Sequence, residues 1–244
     1  MKIIYNTSKM EMFRLFRNQY FVVFSLLMPF IFYAIYTTTV SGTMEIAGTE
    51  WKAYFLISMT CFSLMGSSVT TMGIQLLYDR RQPWMKWVQS LPMKRMQYFT
   101  ARLVSLMVLN GMIIIALFTA ASVWKGIELP LMKWVQVGGW IWLGILPFLA
   151  LGLWISVFKT PDTATGVANL LTLGMALLGG LWTPMDNMPA FVQSFGTWTP
   201  GYLYANGAWS LLAGEAVPLV TIVVLLAYLV IFAGGALYTH ARRI

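Results

Sequence analysis

Apolar windows of about 20 residues recur along this chain, and they decide most of what it can become. A helix rises about 1.5 Å per residue, so about 20 apolar residues cross a hydrocarbon layer about 30 Å thick. Six such windows occur, at 20–40, 53–77, 103–124, 134–158, 163–182 and 216–238. Only 10% of the 244 residues are charged and 59% are hydrophobic, where a soluble domain would carry about 25% charged residues. An outer-membrane barrel would alternate apolar and polar residues in segments of about ten, which is not the pattern here. The expected fold is therefore an all-α membrane protein, a six-helix bundle forming one transmembrane domain over residues 1–244. Gly166, Gly174, Gly179 and Gly180 crowd the fifth window, small residues of the kind that let helix backbones approach closely in lipid. The first window is read as a span and not as a cleaved secretory signal, because a long leader precedes it and no small-x-small site follows.

The cations orient the bundle. With the N-terminus inside, 13 of the 16 Lys and Arg residues fall on the cytoplasmic side, and only Lys52, Lys125 and Lys133 fall outside. That bias predicts cytoplasmic N- and C-termini in a multi-pass protein of the cell membrane. The net charge of +8 is accordingly a topology signal and does not point to nucleic acid.

Six of those cations lie in one stretch, "YDRRQPWMKWVQSLPMKRMQYFTAR", residues 78–102. Each would cost about 2.5 to 3.5 kcal/mol at the bilayer centre, so the stretch is expected in cytoplasm. Pro83 suits the first position of a helix and Pro92 ends one after Leu91. Trp84, Trp87, Val88 and Leu91 recur at helical spacing with Met85 beside them, while Lys86, Gln89 and Ser90 share the opposite face. The spacing predicts a short amphipathic helix over 83–91 whose apolar stripe needs a partner. The inner leaflet and a groove on a cytoplasmic protein want the same residues.

Two further segments are amphipathic or aromatic. In "SKMEMFRLFRNQYF", Met12, Phe13, Phe16 and Tyr20 gather on one face opposite Arg14, Arg17 and Asn18, which predicts an interfacial helix bending into the first span. Residues 179–215 hold no Lys or Arg and are rich in Trp, Tyr and Phe. Helices are expected there from Pro189 through Phe195 and over 201–213 before Gly214. They would be half-buried at the outer leaflet, as an aromatic belt or, alternatively, as a substrate surface.

The windows themselves carry no Asp, Glu, Lys, Arg or His in their interiors, so ion-coupled transport lacks a ligand. Their polar residues are neutral, among them Gln75, Asn110, Asn169 and Thr172, which can hydrogen-bond between helices or line a pathway. No Gly is followed by Lys, which excludes a phosphate-cradling P-loop. A single Cys61 and a single His240 leave no catalytic constellation and no metal-ligand spacing. No catalytic residue, metal or cofactor is expected in this chain.

Taken in order, these features resemble a permease subunit of the ABC-2 type of ATP-binding-cassette exporter. The resemblance covers essentially the whole chain: an amphipathic leading helix at 10–19, six spans, the basic loop with "WVQSLPMKRMQYFTAR" before the third span, and "GGLWTPMDNMPAFVQSFGTWTPGYLYANGAWSLLAGE" with its Pro-x-x-x-x-Pro before the last. It implies that residues 83–91 form a coupling helix seated in a groove of an ATPase subunit. Trp84, Trp87, Val88 and Leu91 would then be its anchors, and Pro83, Met85, Lys86 and Pro92 its remaining residues. Arg80, Arg81, Lys94 and Arg95 would pair with the ATPase surface or lipid. It further implies two ABC ATPase subunits that hold the ATP and Mg, a second permease copy or paralogue, re-entrant helices within 184–213, and export of a hydrophobic or amphiphilic substrate such as a drug, lipid or antimicrobial peptide. An ATPase-independent channel, sensor or immunity protein is the alternative.

Overall fold

A computed structural model of the chain describes residues 2–17, 19–39, 45–46, 49–83 and 95–242. Helix α1 (Lys2–Arg17) leads into α2 (Gln19–Thr39). A two-residue hairpin, β1 (Glu45–Ile46) with β2 (Thr49–Glu50), pairs antiparallel with Glu45 opposite Glu50. It is the one departure from the all-α expectation among the described residues. Next come α3 (Trp51–Val69), a π turn (Thr70–Ile74) and α4 (Gln75–Arg81), which run on as one rod. Beyond them lie α5 (Arg95–Lys125), α6 (Leu131–Gly144) and α7 (Leu146–Ile155). The chain closes with α8 (Pro161–Leu178), α9 (Ala190–Gly196), α10 (Pro200–Ala213) and α11 (Leu219–Ala241).

Among the described residues four helices are long and apolar enough to cross a membrane: Trp51–Arg81, Met96–Lys125, Leu131–Ile155 and Leu219–Ala241. They coincide with the second, third, fourth and sixth windows. Helices also stand at the other two windows, but they are weaker candidates. The apolar stretch of α2 is the shorter Leu26–Thr39, and α8 opens on Pro161, Asp162 and Thr163, which dilute its hydropathy. The fourth crossing is interrupted at Ile145, because Pro147 has no N–H to offer the carbonyl of Leu143.

The rod from Trp51 to Arg81 is the axis of the bundle, and α2, α5, α7, α8 and α10 all pack on it. At its π turn the Gln75 N–H reaches back five residues to the Thr70 carbonyl. There Gly73 meets Gly152 of α7 backbone to backbone. A Cβ on Gly73 would sit 2.6 Å from the Gly152 oxygen, and one on Gly152 would sit 2.8 Å from the Val69 oxygen. Contact this close requires glycine on both sides.

The end of the rod at Trp51 is aromatic. Tyr54 stacks on Trp209 of α10 with centroids 4.7 Å apart, and Trp209 Nε1 donates to Ser58 Oγ at 3.1 Å. Between α6 and α10, Trp140 Nε1 donates to the Tyr204 carbonyl at 2.8 Å while the Tyr204 hydroxyl donates to the Ile141 carbonyl at 2.9 Å. Helix α10 starts on a Thr199 cap followed by Pro200 and stops at Gly214, whose φ of 87° ends it in the left-handed region. The shorter helix of this segment, α9, covers Ala190–Gly196. The two differ in burial: α10 is buried along most of its length, whereas Phe191 and Phe195 of α9 are exposed. Helix α11 lies at the edge and turns Val220, Val223, Leu226, Val230 and Ile231 outward, a surface suited to lipid.

Candidate functional site

At the opposite, basic end four charged side chains converge from three helices. Asp79 lies in the last turn of α4, Arg102 two turns into α5, and Glu11 and Arg14 one turn apart on α1. Arg102 Nη1 donates to Asp79 Oδ2 at 2.7 Å and stands 3.5 Å from Glu11 Oε2. Its Nη2 donates to the Thr71 carbonyl in the π turn at 2.7 Å. Arg14 Nη2 binds both Asp79 oxygens, and its Nη1 is 3.5 Å from Glu11 Oε1. The Tyr98 hydroxyl donates to Glu11 Oε1 at 3.3 Å. The Arg102 side chain is 2% exposed, those of Asp79 and Glu11 are 8%, and that of Arg14 is 34%. Two guanidinium and two carboxylate groups make the cluster neutral as a whole, which is the condition under which charges tolerate burial. Burial works against the charge on Arg14, but its hydrogen bond to Asp79 and the fields of Glu11 and Asp79 outweigh it and hold its pKa above the ordinary value.

The cluster explains the setting of α1. Phe13, Met10 and Tyr5 face outward together with Lys9 and Arg17, while Glu11 and Leu15 are buried. The inward face is mixed: Leu15 joins the apolar core, while Ser8 Oγ donates to the Ala101 carbonyl at 3.0 Å and Ser105 Oγ donates to the Ser8 carbonyl at 2.8 Å. The sequence groups Arg14 with Arg17 and Asn18 on the polar face of an interfacial helix. The structure turns it inward, because an aspartate waits on α4.

Of the predicted coupling residues, Pro83 is exposed at the end of the rod, and Trp84, Met85, Lys86, Trp87, Val88, Leu91, Pro92 and Lys94 lie outside the described residues. Arg95 opens α5. Arg80 and Arg81 close onto the ends of neighbouring elements. Arg80 Nη1 donates to the Ser156 carbonyl at 3.2 Å, and Arg81 Nη2 donates to the Lys159 carbonyl at 2.7 Å. Arg80 Nη2 also meets His240 Nδ1 at 3.3 Å. Because arginine only donates, Nδ1 accepts and Nε2 carries the proton, which it gives to the Leu153 carbonyl at 3.3 Å.

The neutral polar residues divide. Asn110 Nδ2 donates to Ser68 Oγ at 3.1 Å and joins α5 to the rod. Thr172 is buried, its methyl 3.2 Å from where a Gly66 Cβ would stand. Gln75 is half-buried, and Asn169 faces outward from α8. An apolar groove of about 600 Å³ lies between α5 and α6, with Gly111, Ile114, Phe118, Trp134, Gly138 and Trp142 along it. Among the described residues no group of three or more His, Cys, Asp or Glu is placed to hold a metal ion.

The ion cluster is hidden in the sequence because Arg102 and Asp79 stand beside spans, where a charge equally marks a span's boundary. The signals were Asp79, an acid standing alone among cations, and the one-turn spacing of Glu11 and Arg14. Comparison with known proteins agrees with the architecture. The family model of the ABC-2 type transporter matches residues 4–213. Over 232 residues the chain is 37% identical to a Bacillus subtilis (strain 168) protein described as "Putative transport permease YvfS", an alignment that covers 95% of this chain and 94% of that protein. The chain belongs to the ABC-2 type transporter family and is a membrane transport permease.

Proposed function

We propose that this chain is half of the translocation pathway of an ATP-driven exporter of hydrophobic or amphiphilic molecules, worked by a separate ATPase dimer that binds residues 83–91. Two copies, or this chain and a paralogue, would complete the pathway, in the cell membrane with both termini cytoplasmic and six crossings per copy. The observation that carries this reading is the construction around the basic segment. The second and third spans, α3–α4 and α5, deliver it at one end, and the ion cluster ties those two helices together beside it. Away from the ion cluster, polar residues such as Asn110, Ser68 and Ser58 are neutral and bond between helices, which fits a drive supplied from outside the bundle. The apolar groove and the lipid-facing helices suit a substrate that partitions from the bilayer.

The test is a pull-down of a cognate ABC ATPase subunit co-expressed with this chain. Trp87→Asp or Leu91→Asp places a charge in the proposed apolar stripe. Either is expected to lower the recovered ATPase at least tenfold while leaving permease yield within twofold. Undiminished recovery in both variants overturns the docking assignment.

A further inference from the structure

We propose that Arg102 and Asp79, extended by Arg14 and Glu11, form a rigid joint that makes α1 and the two helix ends flanking residues 84–94 move as one body. The proposal rests on the reading of that segment as the place where the ATPase acts. It concerns what happens to the motion once delivered.

The geometry points to transmission and not to local stability alone. The chain leaves α4 just after Arg81 and returns through α5 at Arg95. A push on the segment therefore acts on two helix ends at once. Asp79 and Arg102 bridge those ends at 2.7 Å. The same aspartate takes Arg14 of α1, and the same arginine approaches Glu11 of α1 and binds the Thr71 carbonyl in the π turn. Three helices and the irregular turn of the rod thus share one set of charges. Separating any of them would leave a nearly buried ion without its counterpart, a cost that rises steeply with displacement. The other contacts of this end are of a different kind. The ties from Arg80 to the Ser156 carbonyl and His240, at 3.2 and 3.3 Å, and from Arg81 to the Lys159 carbonyl, at 2.7 Å, are made by exposed side chains, where water or headgroups can take their place. The crossing of the rod with α7 at Gly73 and Gly152 is a backbone contact without charge. The joint is thus the one charged, nearly buried tie described at this end, and it directs motion of the segment into α1 and, through it, into α2.

Electron-spin distance measurements test this in the complex of permease and ATPase in nanodiscs, with labelled permease diluted so that each complex holds one labelled copy. In a C61A background, Y5C with M96C spans α1 and α5, and Y5C with F191C spans α1 and α9. All three native residues at the label sites are exposed. In the otherwise native chain, Y5C–M96C gives one narrow distance, unchanged when ATP is trapped with vanadate, while Y5C–F191C shifts. In R102Q the Y5C–M96C distribution at least doubles in width and the Y5C–F191C shift is lost, although ATP hydrolysis stays within twofold. R102K keeps the charge for folding but cannot hold Asp79 and Thr71 together, and it does both to a lesser degree. Native widths and shifts in either variant overturn the joint, as does a Y5C–M96C distance that changes with nucleotide in the native sequence. A native complex in which nucleotide moves neither pair overturns the reading of the segment as the drive point, and the transmission claim with it.

Discussion

Arg102 and Arg14 share a carboxylate but are not equivalent. The Arg102 side chain is 2% exposed and meets Asp79, Glu11 and the Thr71 carbonyl, whereas that of Arg14 is 34% exposed. Arg102→Met leaves two nearly buried carboxylates to the single, partly exposed Arg14 and is expected to cost about 3 to 5 kcal/mol. Arg14→Met leaves Asp79 with Arg102 and is expected to cost about 1 kcal/mol. The double variant R102M/D79L removes the stranded charge and is expected to recover part of the loss, since a buried pair replaced by apolar groups is often tolerated. Thermal unfolding in detergent should rank melting temperatures native, R14M, R102M/D79L and R102M in falling order. R102M melting with R14M would show that the cluster is not a unit. The types and positions of these residues are legible in the sequence, but their partnership is not. Glu11, Asp79 and Arg102 lie far apart along the chain, and only the packing of α1 on α5 decides that Glu11 and Ser8 of α1 turn inward.

The spans themselves follow from hydropathy, so the windows for α3, α5, α6–α7 and α11 are readable in advance. Helix α10 is equally readable from its punctuation, Pro200 at the start and Gly214 at the end. The π turn is not, because it depends on what meets it: Gly152 on one side and Arg102 on the other. That dependence can be measured. Gly73→Ala and Gly152→Ala each push a methyl to within 3 Å of a facing backbone oxygen, and overpacking of this kind is expected to cost about 1 to 3 kcal/mol. Gly139→Ala is the control: nothing lies within 4 Å of its Cβ position, so the better helix propensity should leave stability unchanged or raised by about 0.5 to 1 kcal/mol. Detergent melting temperatures of the three variants should split in that direction. Equal losses in all three would mean that glycine is needed there for the helix and not for the crossing.

At the scale of the whole molecule the question is which end faces the cytoplasm, since an ATPase can act on residues 84–94 only from there. Thirteen cations weigh toward the basic end in the sequence, but Arg14 and Arg102 spend their charge on Asp79 and Glu11. The bias survives this discount, because the other loop cations on that side still outnumber Lys52, Lys125 and Lys133, and Lys133 is occupied by the Leu212 carbonyl at 2.9 Å. Gln82, at the foot of the rod, and Ser194, on α9, are both exposed and stand at opposite ends of the bundle. Each can carry the only reactive thiol once the buried Cys61 is replaced by Ala. With intact cells and a membrane-impermeant maleimide, S194C is expected to label fully and Q82C by less than a tenth, rising to full labelling after permeabilisation. The reverse pattern would put the basic segment and its apolar stripe outside the cell, beyond the reach of any nucleotide-hydrolysing partner. Labelling of both in intact cells would mean that Gln82 and Ser194 do not lie on opposite sides of the membrane. The expected pattern leaves the segment between α4 and α5 exposed to the one compartment that holds ATP, with the ion cluster directly behind it.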